Sequence, residues 1–220
     1  MLERVLEPEV MDTQAEAQEY DAMDFLDVNQ NFADCVLKVS APQKPLTVLD
    51  LGTGTARIPI LLSHLCPAWQ ITAVDLARSM LGIAKDNVIK AGRQSQIALE
   101  FVDVKCLPYA DHSFDGVISN SLLHHLANPA VCLKEIKRVL KPKGFLFLRD
   151  LIRPETSTQL QTLVETLGQD YSDHQQQLFA DSLHAALTLG EMSELLTVLA
   201  LSPSPRLYAS SDRHWTVERA

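Results

Sequence analysis

Three features of the 220-residue sequence predict a doubly wound α/β fold with a mostly parallel sheet, carried in a single domain. An apolar run from Leu46 to Leu51 ends in a glycine turn and feeds a helix-like segment. The same strand-then-helix alternation continues to Leu151, as expected of parallel strands joined by right-handed crossovers. Two short strand-like segments, Arg206 to Ala209 and His214 to Glu218, then read as a closing antiparallel hairpin around Ser210-Ser211-Asp212.

Residues 1–45 precede the first strand and read as a cover of two or three short helices. Val28, Phe32, Cys35, Val36 and Val39 recur at helical spacing, so one face of that segment should pack on the body. Asp12 to Asp27 is acidic and holds Tyr20, Met23 and Phe25. Ser40 to Pro45, with two prolines, is the linker into the core.

Val48, Leu49 and Leu51 are the residues of a central parallel strand buried on both faces. Gly52 and Gly54 allow a sharp turn and close approach of a ligand to the backbone. Ile58 to Leu65 is the following helix, with Pro59 tolerated in its first turn. In the dinucleotide fingerprint a third glycine stands three residues after the second, but here that position is Arg57. Asp50 puts a negative charge near the mouth of the turn, unfavourable for phosphates and favourable for a cationic ligand. Asp50-x-Gly52-x-Gly54-x-Ala56 resembles the first motif of the class I S-adenosylmethionine-dependent methyltransferases, with Ala56 where that family usually has a further glycine.

Gln70 to Val74 is the second strand and ends in Asp75, 21 residues beyond Gly54. At that separation an acid can accept both hydroxyls of an adenosine ribose; otherwise it caps the next helix. That helix carries Met80, Ala84, Val88 and Ala91 on one stripe and stops at Gly92. Leu99 to Val104 is the third strand, with Asp103 at its end, either a ligand contact or a surface acid. The run Asp111 to Leu126 contains the fourth strand, from Phe114 through Val117 and Ile118, which emerges at Ser119 to Ser121 on the same edge as Gly52, Asp75 and Asp103. Its Phe-Asp-x-Val segment followed by Leu123-His124-His125-Leu126 resembles a methyltransferase segment in which the histidine pair starts a helix. Either histidine could act as a general base, His124 being closer to the strand end, or make structural hydrogen bonds.

Asn128-Pro129 caps and opens the next helix. Lys141-Pro142-Lys143-Gly144 turns into the fifth strand, Phe145 to Leu151. This strand ends in Arg149-Asp150-Leu151-Ile152-Arg153, whose charged residues either contact substrate or anchor the following segment through ion pairs. Residues 155–201 leave the alternation and are helical: Leu160, Leu163, Val164 and Leu167 form one stripe, and Leu178, Phe179, Leu183 and Leu187 a second. Thr188-x-x-Glu191 is a capping box for a third helix. The resulting division is a cover (1–45), a cofactor-binding core (46–154), a helical lid (155–201) and a closing hairpin (202–220).

The formal net charge of −9 and the sequence pI near 5.2 argue against a broad nucleic-acid-binding face. Four scattered cysteines without a Cys-x-x-Cys pair fit reduced thiols, and no metal site is expected. The first eight residues have no signal-peptide core and no run reaches the length of a membrane span, so a cytoplasmic protein without integral membrane contact is expected.

The resemblance implies a Rossmann-like, seven-stranded sheet that binds S-adenosyl-L-methionine and releases S-adenosyl-L-homocysteine. By that resemblance Asp50, Gly52 and Gly54 hold the amino acid end, Asp75 the ribose, and Asp103 with Val104 the adenine, with Thr53, Leu76 and Met80 also among the cofactor-binding residues. Asn120, Ser121 and Leu123 lie by the methyl donor. Tyr20 of the cover, and Arg149, Asp150 and Arg153, are the candidate substrate contacts. The expected activity is methyl transfer to a small-molecule acceptor, lipid-like or quinone-like by analogy. A non-catalytic protein that keeps the cofactor pocket is one alternative, and a nicotinamide-dependent oxidoreductase another.

Overall fold

The computed structural model describes residues 2–10, 12–23, 25–169 and 171–220. In chain order it contains α1 (Gln14–Ala22), α2 (Leu26–Val39), β1 (Thr47–Leu51), α3 (Arg57–Leu65), β2 (Gln70–Asp75), α4 (Arg78–Lys90), β3 (Ile97–Phe101) and β4 (Phe114–Asn120). After a single 3-10 turn at Leu123–His125 come α5 (Pro129–Val139), β5 (Leu140–Leu151), α6 (Ser157–Leu167), α7 (Asp173–Ala185), α8 (Leu189–Leu199), β6 (Arg206–Ala209) and β7 (His214–Arg219). No described helix is long and apolar enough to cross a membrane.

The strands form one seven-stranded sheet in the order β3-β2-β1-β4-β5-β7-β6. β1 through β5 are parallel and β7 runs antiparallel to both β5 and β6, giving the Rossmann-like fold with a closing hairpin that the sequence predicts. Alternate side chains of the central strands feed two cores. Leu49, Leu51, Val117, Leu146 and Leu148 pack on the side that holds α5 and α8, with Trp215 and Val217 of β7. Val48, Ile118, Phe145 and Phe147 face α2, α3 and α4 on the other side. Phe32 of α2 meets Phe147 edge to face at 5.0 Å, which seats the cover helix on the sheet. Gly116 in β4 has a packing reason, because a Cβ there would collide with the Phe145 ring.

Four local expectations shift. β3 runs Ile97–Phe101, so Asp103 stands past the strand in a turn closed by Cys106 N–H donating to Asp103 O at 2.9 Å. β5 begins at Leu140, which pairs with Phe114 before an irregularity brings Gly116 opposite Phe145. The histidine pair does not start a helix: His125 N–H bonds Leu122 O and Leu126 N–H bonds Leu123 O, one tight turn, and the helix proper opens at Pro129. Leu187 lies beyond α7, in an isolated bridge with Ile152 that ties the helical insertion back to the end of β5.

Candidate functional site

In an open parallel sheet the carboxyl ends of the strands face a crevice where the strand order reverses, here between β1 and β4. A cavity of about 410 Å³ lies there. Gly52, Gly54, Asp75, Leu76, Met80, Asp103, Val104, Asn120 and Ser121, all expected from sequence to bind one ligand, line it together with Tyr20 and His124.

The turn after β1 is built by backbone demands. Gly52 and Gly54 hold φ of +69° and +55°, and Ala56 also lies in the left-handed region at +62°. Gly52 N–H and Thr53 N–H both donate to Val74 O, fixing the turn against β2. Asp75, at the end of β2, accepts from Gly54 N–H at 2.8 Å and from Ala77 N–H at 2.9 Å. It therefore braces the turn and the entry to α4 while remaining on the cavity wall. Burial raises the Asp75 carboxyl and those amides oppose the shift.

Asp50 lies beneath the turn and does not itself line the cavity. Burial pushes its carboxyl up to about 7, partly offset by Thr53, and the Asp75 charge adds to the rise. Thr53 and Leu123 are likewise buried behind the wall, and Leu122 takes the lining position expected of Leu123. Asn120 Oδ1 is buried without a hydrogen-bond partner among the described residues, an acceptor awaiting a donor.

Arg57 does not occupy the mouth of the turn. Its guanidinium forms a bidentate pair with Asp21 (2.9 and 2.8 Å), to which Asn87 Nδ2 also donates at 3.1 Å. The pair docks α1 on the glycine turn and lays Tyr20 over Gly54, its Cε1 3.6 Å from where a Cβ would stand. Burial, then the Asp75 charge, push the Tyr20 phenol up to about 12, so it stays protonated.

Asp103 Oδ1 accepts from Lys105 N–H at 2.9 Å and pairs with Lys105 Nζ at 3.2 Å, and the same ammonium reaches Glu9. Phe25, Val28, Leu122, Leu167, Leu178 and Phe179 add apolar walls to the cavity.

The charged end of β5 divides. Asp150 is buried beneath His124 and accepts at 2.5 Å from its Nδ1, so it acts on the cavity through that ring. Burial disfavours both charges, but each raises the other's ionisation: His124 is shifted up and Asp150 down. Arg149 and Arg153 are not among the residues of the cavity wall, and of the two readings the sequence leaves open for them, their contacts are those of anchors. Arg149 donates to Thr216 Oγ1 and Asn31 Oδ1, tying α2 to β7. Arg153 donates to Leu2 O, Ala186 O and Glu191, anchoring the helical insertion.

Sequence reading missed Arg213 and His214 on the wall, and Glu7 behind the histidine pair. His214 pairs with Leu151 because β7 is antiparallel to β5 and so starts where β5 ends; the hairpin assignment contained that signal. Burial, with Arg213 and Arg149 nearby, pushes the His214 imidazole down to about 4, so it is neutral near pH 7. For Glu7 no local pattern distinguishes it from the other acids of the first residues.

Residues 49–148 match a family model described as a methyltransferase domain. The chain is 32% identical over 206 residues to the biotin biosynthesis bifunctional protein BioHC of Teredinibacter turnerae, an alignment covering 90% of this chain and 35% of that protein. It is 29% identical over 175 residues to a demethylmenaquinone methyltransferase of Protochlamydia amoebophila, covering 74% of this chain and 72% of that one. Its fold superposes on the crystal structure of a SAM-dependent methyltransferase from Aquifex aeolicus with a TM-score of 0.69 at 20% identity, over 94% of this chain and 97% of that one. The chain spans about a third to a half of the length of the first curated relatives it matches.

Proposed function

We propose that this chain, whose fold is that of the class I S-adenosylmethionine-dependent methyltransferases and whose residues 49–148 form the matched methyltransferase domain, is an enzyme transferring a methyl group to a small, largely apolar acceptor. One observation carries the reading: a glycine turn, two carboxylates and an orphaned amide oxygen from four successive strand ends share one cavity with apolar walls from the cover and the helical insertion.

The residues fit such a cofactor. Gly52 and Gly54 leave the backbone bare toward the cavity, Asp75 offers acceptor oxygens to a ribose, and Asp103 offers one to an exocyclic amine. Asn120 Oδ1 suits an ammonium donor. Asp50, below the turn, makes no direct contact and would supply negative potential only as a cationic ligand draws its carboxyl into the charged form that burial disfavours. When bound, the cofactor supplies an electrophilic methyl group. The chain's own work is to align the acceptor, exclude water under α1 and α7, and hold His124 and Tyr20 where a polar group of the acceptor is steadied. The apolar lining and the likeness to a demethylmenaquinone methyltransferase favour a ring-bearing or lipid-like acceptor.

The test is calorimetric titration with S-adenosylhomocysteine and, separately, NADH, on the native protein and on Asp75→Ala. Micromolar binding of S-adenosylhomocysteine is expected, weakened roughly 10- to 100-fold in the variant, as loss of charge-assisted hydrogen bonds implies. Binding of NADH alone, or of neither, would sink the proposal.

A further inference from the structure

The pair His124-His125 has a partner that the transfer reading does not require. The segment Leu2–Val10 crosses the end of β5 and is pinned there: Leu2 N–H bonds Glu155 O at 2.8 Å, Val5 N–H bonds His184 O at 3.2 Å, and Arg4 donates to Ala185 O, His124 O and Leu126 O. This strap delivers Glu7 to the two rings. Ser182 donates to Glu7 Oε2 at 3.2 Å, leaving Oε1 directed at both imidazoles. Oε1 lies 3.3 Å from His124 Nε2 and 3.1 Å from His125 Nδ1.

Three details separate this from an ordinary ion pair. Glu7 Oε1 and His125 Nδ1 are buried yet make no well-aligned hydrogen bond among the described residues, although a carboxylate and a ring N–H at this range normally would. All three donor atoms lie within 4.8 Å of one another. Donors about 2.1 Å from a shared ion sit roughly 3.0 Å apart at octahedral right angles and roughly 3.4 Å apart in a tetrahedron, and the two observed edges fall between these values. Finally, His124 Nδ1 is held by the buried Asp150 carboxylate, the arrangement that fixes a ligating imidazole and presents its other nitrogen.

We propose that Glu7, His124 and His125 bind one divalent first-row transition-metal ion, oriented by Asp150, with its remaining coordination positions open to the cavity. Two imidazoles and one carboxylate are the donor set of zinc, iron(II) or cobalt(II) rather than magnesium or calcium. Both histidines line the cavity, so the open positions face the space the acceptor would fill. Resting on the transfer reading, the ion's ligand there is a hydroxyl oxygen or thiol sulfur of the acceptor, whose proton the metal makes easier to lose.

Native protein freed of metal by a chelator is titrated with zinc and with cobalt(II), beside Glu7→Gln, His125→Ala and Asp150→Asn. One equivalent should bind, with a cobalt spectrum free of thiolate charge transfer and X-ray absorption showing imidazole nitrogens. Glu7→Gln and His125→Ala should weaken it at least tenfold, and Asp150→Asn by about 10- to 100-fold. Should Glu7→Gln fail to fold without its strap contact, His125→Ala, at the more open ring, and the spectra of the native protein decide. Absence of stoichiometric binding, a thiolate signature, or affinity unchanged in both ligand variants overturns the site. S-adenosylhomocysteine titration of the same samples keeps the two ideas apart: cofactor binding without metal refutes the metal site alone, and metal binding without cofactor refutes the transfer reading alone.

Discussion

Asp50→Asn should stabilise the protein, and increasingly so as pH rises. The Asp50 side chain is buried, and its carboxyl is pushed from 3.8 to about 7, chiefly by burial. The sign follows from linkage: the folded state holds this proton more tightly than the unfolded state, so the stabilisation is complete below pH 4 and is lost as pH climbs through 7. Across the whole rise, a shift of about three units corresponds to about 4 kcal/mol, and most of it, about 2–3 kcal/mol, falls between pH 5 and pH 8. The amide cannot ionise, so it escapes this loss, although new N–H donors in a buried place cost about 1–2 kcal/mol at every pH. Urea unfolding of both proteins at pH 5, 6, 7 and 8 should therefore show the difference, variant minus native, growing by about 2–3 kcal/mol before levelling above pH 7. In thermal unfolding that growth is a shift of roughly 5–10 °C for a chain of this size. A stability difference that stays flat with pH would refute the buried, incompletely compensated carboxylate.

Other outcomes follow from the same geometry. Because a cationic ligand should favour ionised Asp50, affinity for S-adenosylmethionine should rise severalfold between pH 6 and 8, and Asp50→Asn should abolish the rise in calorimetric titrations. Gly52→Ala must hold a left-handed φ at a cost of about 1–2 kcal/mol and displace Leu122, whose Cδ1 lies 2.9 Å from the new Cβ. Chemical unfolding should read that loss, and S-adenosylhomocysteine titration should weaken at least tenfold. Arg153→Ala strands the Leu2 and Ala186 carbonyls together with Glu191, a loss of about 3 kcal/mol by denaturation. The same variant should leave S-adenosylhomocysteine affinity within twofold, and a selective loss of affinity with unchanged stability would restore Arg153 as a ligand contact.

How much was legible depended on how local the cause was. The strands of the sheet announce themselves because central parallel strands are buried on both faces, so Val48-Leu49 and Val117-Ile118 read as apolar runs whose neighbours serve opposite cores. The glycine turn and Asp75 were legible because positive φ and a strand-end acid are demands of one backbone segment. Arg149 and Arg153 were ambiguous because an arginine at a strand end is equally suited to ligand or anchor. What decided was which carbonyls lay within reach, and those belong to residues as distant in sequence as Leu2 and Ala186. Glu7 is the extreme case, since its meaning arises only when the strap crosses β5 and meets the histidine turn.

The cover should also be the part that moves. α1 buries only Ala17 fully, in a small apolar cluster with Ala77 and Met80 that Tyr20 joins, and its polar attachments are the Arg57–Asp21 pair and, just before the helix, Ser79 N–H donating to Asp12 at 2.9 Å. Such contacts are weak singly, half exposed on the arginine side, and screened by salt, so local opening of α1 should cost far less than global unfolding. Yet Tyr20 of the same helix lines the cavity and lies over Gly54, so opening of α1 would widen the way in, and a ligand seated there would hold the helix down. Hydrogen exchange at amides 14–22 should accordingly be fast in the free protein and faster in high salt. S-adenosylhomocysteine should slow it by at least tenfold while leaving α5 unchanged. Exchange in α1 as slow as in β4, with or without ligand, would show that the cover is part of the rigid body and that entry lies elsewhere.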